Sequence, residues 1–160
     1  ALALMNNGDT IIASQLSGDF ILPRDKKKKL VLIAGGIGIT PFRSMIKYLI
    51  DKKQNRDIIL IYANKTENDI VYKGILEEAE HKINLRVIYI INKLSNKEIN
   101  WTGKIGYVDS ELIINEIKDF RSRTFYISGP PSMVSIIEKT IINLGVKKSK
   151  IKTDFFPGFI

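Results

Sequence analysis

The stretch Leu30-Val31-Leu32-Ile33-Ala34-Gly35-Gly36-Ile37-Gly38-Ile39-Thr40-Pro41 decides the fold. Its first five residues are an unbroken apolar run, as expected of a strand covered on both faces. Three glycines follow, and then a proline of the kind that opens a helix without losing a needed N–H. From Pro41 to about Lys53, Phe42, Met45, Ile46, Leu49 and Ile50 recur at helical spacing. A buried strand, a glycine turn and an amphipathic helix make the first half of a strand–helix–strand unit.

Reading onward, the unit repeats. Ile58–Ala63 is a second apolar strand, and Asn68 or Asp69 is placed to cap a helix running to about His81, with Ile70, Ile75, Leu76 and Ala79 inward. Leu85–Ile91 is a third strand, and residues 92–106 form a polar loop. Asp109 or Ser110 caps a short helix over Leu112–Ile117. Thr124–Ser128, Ser132–Leu144 and Lys150–Phe155 supply a fourth strand, a helix and a fifth strand. The expectation is an α/β domain: an open five-stranded parallel sheet with right-handed crossovers and helices on both faces.

Reading backward, Pro23 and the Lys26–Lys29 run mark a linker. Thr10–Ser14 and Asp19–Leu22 read as two short strands joined around Gln15–Gly18, a β-hairpin bounded by Gly-Asp pairs. Two strands cannot bury a core of their own, so a larger β domain is expected upstream. The chain divides accordingly into residues 1–25, the end of that β domain, and residues 26–160, the α/β domain.

Composition narrows the chemistry. At 160 residues with 44% hydrophobic content and a mean hydropathy of -0.01, one soluble globular core is expected. The apolar runs are too short for a membrane helix, and a cytoplasmic location and no membrane contact from this segment are expected. The absence of cysteine removes disulfides, thiolate zinc sites, cysteine nucleophiles and cysteine-held iron–sulfur clusters from this segment. No metal site is expected. The net charge of +8 suits solvated ends of strands and helices, an anionic ligand or an acidic protein partner; no basic helix or aromatic-interleaved sheet points to nucleic acid.

In open parallel sheets, ligands sit at the carboxyl ends of the strands where the strand order reverses. Two loops there carry unusual residues. Gly35–Pro41 lets the backbone turn sharply and lets a phosphate approach without meeting a Cβ, in front of a helix N-terminus. Pro41 stands where the usual dinucleotide fingerprint has its third glycine, and Asn64-Lys65 stands where an acid often holds a ribose. The second loop, Ser128-Gly129-Pro130-Pro131-Ser132-Met133, is stiff and built of small residues, a wall for a flat ring. The ending Asp154-Phe155-Phe156-Pro157-Gly158-Phe159 offers a carboxylate and aromatics to the same region.

Together these pieces resemble the ferredoxin–NADP⁺ reductase-like superfamily of FAD- and NAD(P)-dependent oxidoreductases. The resemblance rests on Gly8-Asp9, Gly18-Asp19-Phe20, Leu32–Pro41, Tyr126–Met133 and Asp154-Phe155-Phe156, in that order along nearly the whole chain. It implies a nicotinamide-nucleotide-binding domain that passes hydride to FAD, with Gly8–Leu22 as the last hairpin of a flavin-binding barrel. Gly35, Gly36, Ile37, Gly38, Ile39, Thr40 and Pro41 would cradle the pyrophosphate, with Thr40 near the nicotinamide. Ser128 occupies a position where many members have cysteine, and Gly129, Pro130, Pro131 and Met133 would shape the same pocket. Asp154 would lie near the flavin, and Phe156 or Phe159 near its ring.

Ser128, Thr40 and Asp154 are thus the expected catalytic groups, and Asn64, Lys65, Asn92 and Lys93 the expected nucleotide contacts on the second and third strands. Relatives that use NADPH tend to place serine and arginine near the third-strand end. Ile91-Asn92-Lys93-Leu94-Ser95, with Lys65 and Lys104, offers no arginine fork, which favours NADH over NADPH. The family's flavin-binding motifs belong upstream, so the chain is expected to be a fragment, inactive alone, with FAD in the full-length protein and an acidic electron-transfer protein among the partners. The rival reading is a nucleotide-binding regulatory domain without redox turnover. Phospho-receiver and methyltransferase readings lack the acids their chemistry needs at Gly35-Gly36, Asn92-Lys93 and Asn64.

Overall fold

The computed structural model describes residues 4–6, 8–11, 18–96 and 100–156. Six strands form one parallel sheet: β1 (Leu30–Gly35), β2 (Ile58–Asn64), β3 (Leu85–Ile91), β4 (Lys104–Ile105), β5 (Thr124–Gly129) and β6 (Ile151–Phe155). Their order across the sheet is β4-β3-β2-β1-β5-β6. Every residue of β1 is buried, as its apolar run requires of a central strand. The expected five strands are all present, and the sixth is the two-residue β4. It lies inside the stretch read as a loop, where it pairs with Ile90 and Ile91. Two residues carry no periodicity, so nothing in the sequence marks them as a strand.

Alternation along β1 divides the core. Leu30, Leu32 and Ala34 meet α1 (Ile39–Asp51) and α2 (Lys73–Lys82) on one face, through Phe42, Ile46, Leu49, Leu76 and Ala79. Val31 and Ile33 meet α3 (Ser110–Glu116) and α4 (Pro131–Asn143) on the other, through Ile113, Val134, Ile137 and Ile141. The Asp109 side chain caps α3 by accepting from the Leu112 amide at 2.8 Å.

Two expectations are corrected. The helix over the second crossover begins at Lys73, not at Asn68 or Asp69. Thr66 and Asp69 instead close a capping box around a single 3-10 turn, Glu67–Asp69, and Tyr72 at φ 60° separates that turn from α2. The Thr66 hydroxyl and amide hold the Asp69 carboxyl below its ordinary pKa. Asp19–Leu22 forms no strand. Its carbonyls are taken by side chains of the α/β domain: Lys152 Nζ donates to Asp19 O and the Tyr126 hydroxyl to Ile21 O, each at 2.8 Å. Arg56 donates to Pro23 O at 2.8 Å, and Phe20 packs edge-on against Tyr126 and beside Phe42. The other expected hairpin strand, Thr10–Ser14, and its turn fall mostly outside the described residues.

Candidate functional site: a cleft where the strand order reverses

β1 pairs with β2 on one side and β5 on the other, so successive crossovers leave β1 in opposite directions. The two glycine loops meet at that point. Gly36 adopts φ 51°, a left-handed conformation that an L side chain resists. A Cβ on Gly38 would collide with the Ser128 carbonyl and lie 2.7 Å from Gly129 Cα. A Cβ on Gly35 would meet the Met133 thioether and lie 3.3 Å from Pro130 Cδ. Glycine at these two positions is therefore what lets the first loop and the proline loop touch. The Phe156 amide donates to Gly129 O at 3.1 Å, tying the end of β6 to the same point.

Beside these loops opens a cleft of about 850 Å³. Of the expected site residues, Gly35, Gly36, Ile37, Asn64, Lys65, Asn92, Pro130 and Met133 line it. Gly38, Ile39, Pro41, Gly129 and Pro131 do not line it, although they belong to the same two loops, and Lys93 is exposed beside Asn92. The Lys93 amide donates to Lys65 O at 3.2 Å and the Asn92 amide to Asn64 O at 3.1 Å, so the β2 and β3 ends continue side by side into the site.

The expected catalytic trio lies apart from this lining. Ser128 is completely buried, and its hydroxyl has no hydrogen-bond partner. It stands in register between Ala34 and Asp154, which puts all three on the α1 face of the sheet. Asp154 and Phe156 are half-buried there. The Thr40 hydroxyl donates to Ile37 O at 3.0 Å and so braces the glycine turn. Phe159 lies outside the described residues.

Asn64 is the most informative residue of the cleft. Its side chain is 6% exposed, and neither amide atom completes a hydrogen bond. The neighbouring Tyr62 hydroxyl comes close enough for the amide to temper its burial-raised pKa, without reaching hydrogen-bond geometry. A buried amide that completes no hydrogen bond is a costly arrangement.

Sequence reasoning missed the far wall: Gly106, Tyr107 and Val108 before α3, and Ile136 and Thr140 on α4. Tyr107 is 74% exposed and Ile136 63% exposed, an apolar rim that a ligand can cover. The available signal was the long polar loop itself, since such loops in compact domains are usually functional. A smaller cavity of about 290 Å³ lies at the sheet edge around Trp101. Its charges are already paired, Glu116 with Lys104 at 2.8 Å and with Arg86 at 3.3 Å, and Trp101 Nε1 donates to Lys104 O at 3.0 Å.

An open parallel sheet with a glycine loop at its order reversal, an adjoining rigid proline loop and a mainly apolar cleft has the architecture of a dinucleotide-binding α/β domain. The chain belongs to the Oxidoreductase NAD-binding domain family, which it matches over residues 32–139. It is 33% identical to NADH-cytochrome b5 reductase 1 of Candida albicans over 149 residues, covering 91% of this chain and 50% of that protein. It is 29% identical to the flavohemoprotein of Oceanobacillus iheyensis over 150 residues, 93% of this chain and 36% of that protein. The chain thus spans half or less of the length of these curated relatives. The fold is shared with the Amycolatopsis cytochrome P450 reductase at a TM-score of 0.74 and 20% identity, covering 88% of this chain and 42% of that one. The FAD/NAD binding domain of a Vibrio cholerae nitric oxide dioxygenase gives a TM-score of 0.73 at 20% identity, with 88% and 55% covered. These relatives bear out the ferredoxin reductase-like resemblance.

Proposed function

We propose that this chain binds NADH in the cleft and presents it to a flavin held by another part of the same protein, which then passes electrons to an acceptor. The observation that carries the reading is the contact of the two glycine loops beside a cleft lined by a buried, unpartnered amide. The residues fit a dinucleotide. Gly35–Pro41 would face the pyrophosphate with backbone N–H groups at the start of α1. Pro130 and Met133 would wall the nicotinamide ring, and Asn64, Lys65 and Asn92 would take the adenosine side, with Tyr107 offering a flat face at the rim. Residues 1–25 would be the end of the flavin-binding portion, and Lys152, Tyr126 and Arg56 hold its described segment at Asp19, Ile21 and Pro23.

When bound, the nicotinamide would supply a hydride for the flavin to take up. The protein's part is to align the rings and exclude water. Thr40 holds the glycine turn, while Ser128, Asp154 and Phe156 border the side on which the flavin would dock. The rival reading is a regulatory nucleotide-binding domain, which would keep the cleft without redox turnover.

Three features support NADH over NADPH. Ser95, a candidate 2′-phosphate ligand, is taken by Glu67, which accepts from the Ser95 amide at 3.0 Å and from its hydroxyl. Glu67 itself is a carboxylate only 8% exposed beside Ser95, and Lys104 is held by Glu116. Rapid anaerobic mixing of the flavin-loaded full-length protein with each nucleotide tests the reading. Bleaching of the flavin, faster with NADH, is expected. Nucleotide binding without bleaching would leave the regulatory reading, and no binding would overturn both.

A further inference from the structure

The charge of the chain is collected at one pole of the fold. In a parallel sheet every helix-to-strand connection returns to the amino ends of the strands, the pole opposite the cleft. Here that pole is built from the lead-in 24–29 and the connections 52–57, 83–84, 117–123 and 144–150. These segments hold 14 of the 25 Lys and Arg residues but only 3 of the 17 Asp and Glu. That is an excess of 11 positive charges, which leaves the remainder of the chain at -3 although the whole is at +8. Segments 65–72 and 92–109, which follow β2 and β3 toward the cleft, carry Lys and Asp or Glu in equal number.

Of the three acids of the pole, only Asp25 stands exposed among the lysines without an ion pair among the described residues. Asp57 and Asp119 are both bonded to the buried Arg123 at 2.6 Å and share Lys29. Lys26, Lys27, Lys28, Lys52, Lys53 and Lys147 are exposed, and no side-chain ion pair is recorded for them among the described residues. Like charges gathered in this way repel one another and weaken the fold unless an anionic partner meets them.

We propose that this lysine pole docks the protein on an anionic lipid surface, with the nucleotide cleft facing away from the membrane. An electron acceptor does not fit the pole: six-residue strands put it about 20 Å from the strand ends where the nucleotide binds. Nucleic acid fits less well than lipid, because the pole offers flexible lysines from four separate segments and no exposed aromatic platform or arginine fork among the described residues. A broad set of mobile ammonium groups suits a flat, fluid sheet of headgroups. This reverses the expectation, drawn from sequence alone, that the segment touches no membrane. The sequence shows the lysines as scattered runs, and only the topology brings them to one side. The lysine pole rests on the charge distribution alone; the outward facing of the cleft and the exclusion of an electron acceptor rest on the nucleotide reading.

The test is binding of the full-length protein to vesicles of phosphatidylcholine alone and of phosphatidylcholine with phosphatidylserine, with hydrogen exchange read in the bound state. Anionic vesicles should bind more tightly, the excess should vanish in high salt, and protection should appear in residues 24–29, 52–57 and 144–150. The variant carrying Lys26→Gln, Lys27→Gln, Lys28→Gln, Lys52→Gln and Lys147→Gln should lose that excess by roughly tenfold or more, with nucleotide affinity unchanged. Equal binding to both vesicle types, protection elsewhere, or an undiminished excess in the variant would overturn the proposal. Tighter binding of duplex DNA than of anionic vesicles would overturn it in favour of nucleic acid.

Discussion

Replacing the three glycines of the first loop one at a time by alanine should give three different results, because each is glycine for a different reason. At Gly38 the new methyl group would meet backbone, the Ser128 carbonyl and Gly129 Cα at 2.7 Å, and neither can swing away. The loops must part by about an ångström, and overpacking against an immovable wall costs about 3 kcal/mol, the upper end of the usual range. For a domain of this size that is a fall of roughly 6–12 °C in Tm. At Gly36 there is open space, and the cost is the left-handed φ of 51° alone, about 1 kcal/mol. At Gly35 the obstacle is the end of the flexible Met133 side chain, with Pro130 Cδ at 3.3 Å. Stability should fall by about 1 kcal/mol there, while the displaced thioether enters the cleft and weakens nucleotide binding. Thermal unfolding of the three variants, each with and without NADH, separates these effects. A Gly38→Ala protein no less stable than Gly36→Ala would show that the two loops do not touch as described.

Other changes probe single contacts. Asn64→Leu should leave Tm unchanged or raise it, since it removes two unpartnered buried atoms, yet weaken NADH binding; calorimetric titration beside thermal unfolding would show both. Tyr126→Phe should cost about 1 kcal/mol and speed amide exchange in residues 19–23, because Ile21 O loses its donor. The Asp119 carboxyl is held down to about 2, first by its hydrogen bond from Arg123 and then by Lys29. A folded pKa below the ordinary value means stability that is present above about pH 4 and lost as pH falls toward 2. Denaturant midpoints measured across that interval should fall for the native protein and flatten in Asp119→Asn.

Much of this architecture was legible because its signals are local and repeated. Short apolar runs bounded by glycine, such as Leu30–Ala34, fit strands buried on both faces, and the glycines that follow fall where a parallel sheet binds ligands. What escaped is short, locally ambiguous or dependent on contacts distant in sequence. β4 is too short to have a period. The second crossover helix starts late because Thr66 and Asp69 satisfy each other, a choice between two capping sites that composition does not reveal. Asp19–Leu22 has strand-like residues, but Tyr126 and Lys152, more than 100 positions away, take its carbonyls. In the site, glycines and prolines announced the near wall. Tyr107 and Ile136 gave no sign of facing it, and nothing in Tyr126-Ile127-Ser128 says that the serine hydroxyl is sealed inside the sheet.

The claim at the centre of this account is that the two glycine loops and the cleft beside them hold a nicotinamide nucleotide. The direct measurement is a titration of the isotope-labelled protein with NADH and with NADPH, followed by amide shifts. Shifts centred on residues 35–41, 64–65 and 130–133, saturating at lower NADH than NADPH, are the predicted result. A folded protein whose shifts fall outside these segments, or that shows none with either nucleotide, would contradict the account.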